Sequence, residues 1–275
     1  MKLRPVLGES DLDAFENAVV PRYLSFFGSL AVDMLFPIPD AHVAHIGCRT
    51  GYPDWIIADK MPQSSLLGVD SSPPGVEFAR ARAARMPGMR ANYTVSDSVP
   101  TLLAESSFTH AISLHPLCSA TERAALLAEL RRVLIPGGQA VLALPLRGSF
   151  PEINDMIREY ALRHDLAELG KAIDAAAASR PTIETVSEEF EDAGLSEVDV
   201  DVQLIAVSFE NGRNFLEDAI ARLLVFPEAT DLLGMPPDAA QGCMRYVHEA
   251  ISKYWSEGVF ELTVNVGCAS GRRLQ

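Results

Sequence analysis

Apolar residues recur with a helical period over the first forty positions. Phe15, Val19, Tyr23, Phe26, Phe27, Leu30, Met34 and Leu35 fall near a 3.6-residue repeat, and Pro21 predicts a bend in that helix. From residue 42 the pattern shortens. Residues 42–46, 65–69, 91–95 and 108–114 read as short strands. Between them lie two helices, one opened by Tyr52-Pro53-Asp54 and carrying Trp55, Ile56 and Ile57, the other running from about Pro74 to Met86. Ser119 and Glu122 form an S-x-x-E capping box ahead of Leu126, Leu127, Leu130, Val133 and Leu134, which share one helix face. Pro136-Gly137-Gly138 ends that helix and turns into a strand over 139–144.

Beyond Pro145 the pattern is mostly helical, over 151–162, 165–178 and 183–193, the last closed by Gly194. Two alternating stretches, 197–208 and 258–268, predict further strands, separated by helices at 211–224 and 238–255. Strands that alternate with helices predict an α/β architecture: a doubly wound, mostly parallel seven-stranded sheet with a helical insertion or cap. The direction of the last strand stays open. We read residues 1–275 as one domain, with N-terminal helices over 1–40, a ligand-binding core over 41–145, a cap over 146–195 and 211–255, and final strands over 196–208 and 258–268.

Composition narrows the partners. In 275 residues, 23 Lys and Arg stand against 37 Asp and Glu, and a net charge of −14 repels phosphate backbones and anionic lipid. Nucleic acid and membrane are therefore disfavoured, and Arg80, Arg82 and Arg85 read as a solvated helix face. Cys48, Cys118, Cys243 and Cys268 are far apart, without C-x-x-C spacing or clustered His and Asp, so neither a metal site nor a disulfide framework is expected. No signal-like segment opens the chain and no apolar run reaches membrane-spanning length, which gives a cytoplasmic expectation.

The chemistry concentrates at two strand ends. Residues 43–51, VAHIGCRTG, run from an apolar strand into a glycine turn, and nineteen residues after Gly51 the run LLGVD ends in Asp70. A tight turn lets a ligand approach the backbone, and a carboxylate ending the next strand takes hydrogen bonds from ribose hydroxyls. The pair points to an adenosine-containing ligand. A nicotinamide dinucleotide fits less well, because Arg49 and Tyr52 hold the second and third glycine positions of G-x-G-x-x-G.

These segments, with GVDSS, Ser96-Asp97, SSFTHAISLHPL, LRRVLIPGGQAVLALP and FEDAGLSEVDV, resemble in order and spacing the class I S-adenosylmethionine-dependent methyltransferases of small-molecule type. The resemblance implies S-adenosylmethionine as cofactor and a small acceptor as partner, with a homodimer allowed. It places the cofactor turn at Gly47, Cys48 and Gly51, the ribose acceptor at Asp70 followed by Ser71, and the adenine contact at Asp97 and Ser98. Leu114 and His115 then end the strand where methyl and acceptor meet. His115 is the candidate general base, since its ordinary pKa lies near neutrality. Tyr23, Phe226 and Tyr246 are candidate acceptor contacts, and His110 reads as structural.

Two departures mark a degenerate cofactor motif. His45 stands where the family has an acid for the amino-acid portion of the cofactor, and Arg49 stands where it has a glycine; Thr109 replaces another common acid. One lost charge-assisted hydrogen bond is worth about 1.5–3 kcal/mol. Two readings follow. The chain transfers a methyl group to a small, partly apolar acceptor, or it is an inactive methyltransferase-like binding or assembly protein that lost cofactor affinity through His45 and Arg49.

Overall fold

In the computed structural model, residues 1–233 and 237–274 are described, without the side chains of residue 232 and residues 237–239. An extended segment over residues 1–7 leads into a helical run over 9–34. That run contains a 3-10 turn (Glu9–Asp11), one α-helical turn (Leu12–Ala14), a π-helical stretch (Phe15–Leu24) and the helix α1 (Ser25–Met34). The bend expected at Pro21 takes the form of this wide-turned stretch, in which a residue without an N–H is accommodated by a change of hydrogen-bond spacing.

The core alternates as the pattern predicts: β1 (His42–Ile46), α2 (Asp54–Lys60), β2 (Ser65–Asp70), α3 (Pro73–Ala83), β3 (Arg90–Val95), β4 (Phe108–Leu114), α4 (Ala120–Val133) and β5 (Leu134–Pro145). There follow α5 (Pro151–Arg163), α6 (Ala167–Ser179), α7 (Ile183–Asp192), β6 (Leu195–Phe209), α8 (Gly212–Glu217), a π-helical turn (Ala221–Val225), α9 (Phe226–Leu233), α10 (Pro237–Tyr254) and β7 (Phe260–Arg273). The seven strands are ordered β3-β2-β1-β4-β5-β7-β6, and the pairs β1/β2, β2/β3, β1/β4 and β4/β5 are parallel. The chain winds outward from β1 to β3 and then returns to the other side of β1. The strand order therefore reverses between β1 and β4, where open α/β sheets bind ligands beyond the carboxyl ends.

Burial on both faces explains why the central strands read as unbroken apolar runs. Val43, Ala44 and Ile46 on β1, Ala111 and Ile112 on β4, and Ala140 to Ala143 on β5 are fully buried. On α4, Leu126, Leu127, Leu130 and Val133 are fully buried, each side chain contributing roughly 1.5–3 kcal/mol. The capping box forms at its start. Ser119 Oγ accepts from Glu122 N at 3.4 Å, while the Glu122 carboxylate accepts from Ser119 N at 2.9 Å.

The last strand, read as 258–268, extends to Arg273, the helix read as 211–224 is broken after Glu217, and the start of β5 differs from the sequence reading. β5 begins at Leu134, paired with Phe108, and the register shifts before His110 meets Gln139. Pro136-Gly137-Gly138 thus lies inside the strand as an irregularity rather than ahead of it. Gly137 has φ +80°, and a Cβ at Gly138 would come within 2.9 Å of the Ile135 carbonyl oxygen.

The chain divides into two compact units. The first comprises Met1–Leu144, Ile183–Val202 and Gly267–Gln275; the second comprises Pro145–Thr182 and Gln203–Val266. Helix α7 belongs to the first unit, where Glu189 accepts two 2.6 Å hydrogen bonds from the buried Arg123 guanidinium. The second unit has its own aromatic core, in which Phe215 stacks on Phe260 with centroids 4.4 Å apart. No helix among the described residues is long and apolar enough to cross a membrane. Because Ser119 satisfies an otherwise open backbone N–H of α4, Ser119→Ala is expected to lower stability by about 1 kcal/mol in urea denaturation, with an unchanged m-value.

Candidate functional site

The turn after β1 is built on the backbone of β2. Gly47 N and Cys48 N both donate to the Val69 carbonyl, at 2.8 and 3.1 Å, and Gly51 N closes the turn on the Cys48 carbonyl at 2.7 Å. Gly47 and Gly51 have φ of +78° and +83°, a region side chains rarely adopt. At Gly51 a Cβ would also meet Ala79 Cβ and the Tyr93 hydroxyl at 3.1 Å. Asp70 then ties the two strand ends together: Oδ2 accepts from Arg49 N at 3.0 Å and Oδ1 from Ser72 N at 2.8 Å. This carboxylate is 2% exposed. Burial pushes its pKa up, while the Arg49 charge and the two backbone N–H groups pull it back toward the ionised form.

Arg49 itself adopts the left-handed region, φ +49°, where a glycine would be unstrained. Its side chain runs to the end of β4, donating from Nη1 to the Leu114 carbonyl at 2.9 Å and from Nη2 to the His115 carbonyl at 2.6 Å. Burial lowers its pKa and the Asp70 charge raises it. His115, also at positive φ (+43°) and fully buried, shares a 2.7 Å hydrogen bond between Nε2 and the Tyr23 hydroxyl, and Phe27 packs edge-on at 4.9 Å. Two strained residues at facing strand ends are a common mark of a ligand site.

Behind the turn, three residues stand in one row across the sheet. His45 pairs in register with Gly68, and Gly68 with Tyr93. The gap at Gly68 is filled by its neighbours: a Cβ there would lie 2.5 Å from the Tyr93 ring and 2.9 Å from Cys48 Sγ. Both flanking side chains reach the buried carboxylate of Asp54 on α2, Tyr93 across the space that Gly68 leaves open. His45 Nδ1 lies 2.7 Å from Oδ1, and the Tyr93 hydroxyl donates to Oδ2 at 2.9 Å. Burial, with Asp54 alongside, pushes the Tyr93 pKa well up, so the phenol stays a donor. His45 Nε2 on β1, and Arg49 Nε and Thr50 Oγ1 on the turn, are buried and have no hydrogen-bond partner among the described residues.

The extended N-terminal segment crosses the same edge of the sheet. Ser71 Oγ donates to the Leu3 carbonyl at 2.5 Å, Ser72 Oγ to the Leu7 carbonyl at 2.6 Å, and Leu3 N to the Asp97 carbonyl at 3.3 Å, while Lys2 bridges Ser98. Leu3 and Leu7 are buried, and the side chains of Asp97 and Ser98 remain exposed. Sequence reasoning missed this segment, and it missed Asp54 and Tyr93. Of the residues it did single out, the structure brings Tyr23, His45, Gly47, Cys48, Arg49, Gly51, Asp70, Ser71, Leu114 and His115 to the ends of β1, β2 and β4. Phe226 and Tyr246 belong to the second unit, where Phe226 packs on Phe215 and His248, and Tyr246 on Tyr160. His110 is structural in its contacts, with Nε2 2.9 Å from the Phe36 carbonyl and Nδ1 2.8 Å from Thr109 Oγ1.

Residues 43–138 match a family model described as a methyltransferase domain. This segment is similar to a methyltransferase domain. The chain is 30% identical over 151 residues to a trans-aconitate 2-methyltransferase of Acidovorax sp. (strain JS42), covering 54% of this chain and 55% of that protein. It is 27% identical over 110 residues to an O-methyltransferase of Penicillium expansum, covering 40% of each. The chain thus spans about half the length of the curated relatives it matches. In fold it is similar to phosphoethanolamine N-methyltransferase 2 of Haemonchus contortus, solved with S-adenosyl-L-methionine. That likeness has a TM-score of 0.58 at 16% identity and covers 98% of this chain and 58% of that one. The chain also has the fold of the YcgJ protein of Bacillus subtilis, with a TM-score of 0.57 at 13% identity, covering 91% and 99%.

The buried Asp54 carboxylate depends on its donors. Tyr93→Phe removes one of them at almost constant volume and is expected to cost about 1–3 kcal/mol in urea unfolding, more than a surface Tyr→Phe change would.

Proposed function

We propose that this protein transfers the methyl group of S-adenosylmethionine to a small, partly apolar acceptor. The observation that carries the reading is Asp70. Its two backbone hydrogen bonds fix the carboxylate at the end of β2, and each oxygen keeps a lone pair with which to accept from a ribose hydroxyl. The turn leaves room beside it, since the nearest atom to a Cβ position at Gly47 is Ser113 Oγ at 3.9 Å. Asp97 and Ser98, at the end of β3, are exposed at the position suited to the adenine amino group.

Bound there, the cofactor supplies an electrophilic methyl on a positively charged sulfur. The chain's own part is alignment. On this reading β1, which lies next to β4 in the sheet, meets the amino-acid end of the cofactor and β3 the adenine, with the reacting end at Leu114 and His115; the strand order supports that assignment. Tyr23 and His115, joined at 2.7 Å, are the groups to position the acceptor and to take its proton where it must lose one. A small-molecule acceptor agrees with the names of the relatives, trans-aconitate among them. The alternative of an inactive module is not favoured.

Isothermal titration of the full chain with S-adenosylhomocysteine tests the reading. Binding is expected in the micromolar range, and Asp70→Asn, checked for a native melting profile, is expected to weaken it by about tenfold or more. An absence of heat at high micromolar ligand with the unaltered protein would overturn the assignment.

A further inference from the structure

A recess of about 650 Å³ opens in the first unit at the end of the sheet remote from Asp70. Gln139, on its wall, pairs in register with His110, and His110 with Val43, so the recess stands where the parallel strands begin. A volume of this size suits a small molecule. Asp33 at the end of α1, and Asp199 and Asp201 on β6, line it, and none of these three carboxylates has an ion-pair partner among the described residues. A fourth acid, Glu197, is met by Arg272 Nε at 3.4 Å, and the Arg272 guanidinium lies 4.9 Å from the centre of the Phe36 ring. Ser270 is an independent mark of a ligand. It is 5% exposed, lines the recess, and its hydroxyl has no hydrogen-bond partner among the described residues. Strand alternation sets its direction: a Cβ at Gly271 would meet Phe190 of α7 at 2.9 Å and Leu195 at 3.2 Å, so Ser270 and Arg272 point to the opposite face, where Arg272 finds Phe36. A buried hydroxyl left without a partner is costly.

Carboxylates only accept, and a serine hydroxyl accepts as well, so the ligand that suits this wall brings several N–H donors and positive charge. A metal ion does not suit it, since no three His, Cys, Asp or Glu side chains among the described residues are grouped to hold one. The acids are instead spread along a wall that also carries Met34, Val200 and the half-exposed Phe36 ring. That mixture matches ammonium groups separated by methylenes, whose stems lie on apolar surface while their heads meet charge. We propose that this recess binds a linear polyamine, its ammonium groups shared among Asp33, Asp199 and Asp201, with one N–H donated to Ser270 Oγ and the methylenes on Phe36 and Met34. The site is separate from the cofactor reading and does not depend on it. A lysine-rich peptide carries the same ammonium groups, and the test separates the two.

Isothermal titration of the full chain with spermidine at low ionic strength tests the site. One equivalent is expected to bind in the high micromolar range, and more weakly as salt rises. Asp199→Asn combined with Asp201→Asn is expected to weaken binding by about fivefold or more, and Asp33→Asn, on a different element, by about threefold. Either variant that melts like the unaltered protein keeps the test decisive. Glu249→Gln combined with Glu257→Gln removes as much charge as the Asp199 and Asp201 pair from exposed positions in the second unit, and is expected to leave binding within about twofold. An equal loss in that control, or several equivalents bound, reports a diffuse counterion cloud and overturns the site. Unchanged binding in the Asp33, Asp199 and Asp201 variants overturns it too, as does displacement by equimolar Mg²⁺ or the absence of saturable binding at millimolar spermidine. Tighter binding of tetralysine than of spermidine overturns the polyamine assignment in favour of a basic peptide.

Discussion

Everything at the candidate site hangs on one buried carboxylate. Asp70 accepts a backbone N–H from Arg49 after β1 and another from Ser72 at the start of α3, so a single side chain fixes the spacing between two strand ends. A carboxylate this deeply placed is costly unless its lone pairs are met by donors, and here they are met partly by backbone that cannot move away. The same two bonds that offset the cost of burial also fix the direction of the lone pairs the carboxylate keeps. Stability and ligand geometry are therefore not separable at this residue.

Much of this was legible in the sequence because it is written in short-range pattern. The strand ending at Ile46, the glycine turn, the acid closing β2 and the Ser119 capping box each involve residues a few positions apart, and periodicity and turn chemistry report such relations directly. The irregular start of β5 was misplaced for a related reason. Pro136-Gly137-Gly138 carries the same signal whether the chain turns before a strand or bulges within one. Only the pairing of Leu134 with Phe108 distinguishes the two.

What stayed hidden was long-range and often carried by backbone. Residues 1–7 meet Ser71, Ser72 and Asp97 through main-chain groups at every contact, and such groups leave no trace in residue identity. The partner of His45 lies nine positions downstream on a different element, and Tyr93 reaches it from two strands away. Arg49 could be recognised as out of place, yet nothing in the sequence said where its guanidinium would go. The structure sends it to the carbonyls of Leu114 and His115, so that a residue foreign to the turn binds the turn to β4.

Gly68 shows how far such a relation can extend. It lies in the middle of β2, touches no ligand-facing group, and matters because it has no side chain: the Tyr93 ring occupies the space a methyl would take. Any larger residue there would push the phenol off Asp54 and leave Oδ2 without the donor it has from β3. An empty position in one strand thus sustains a hydrogen bond between the next strand and a helix.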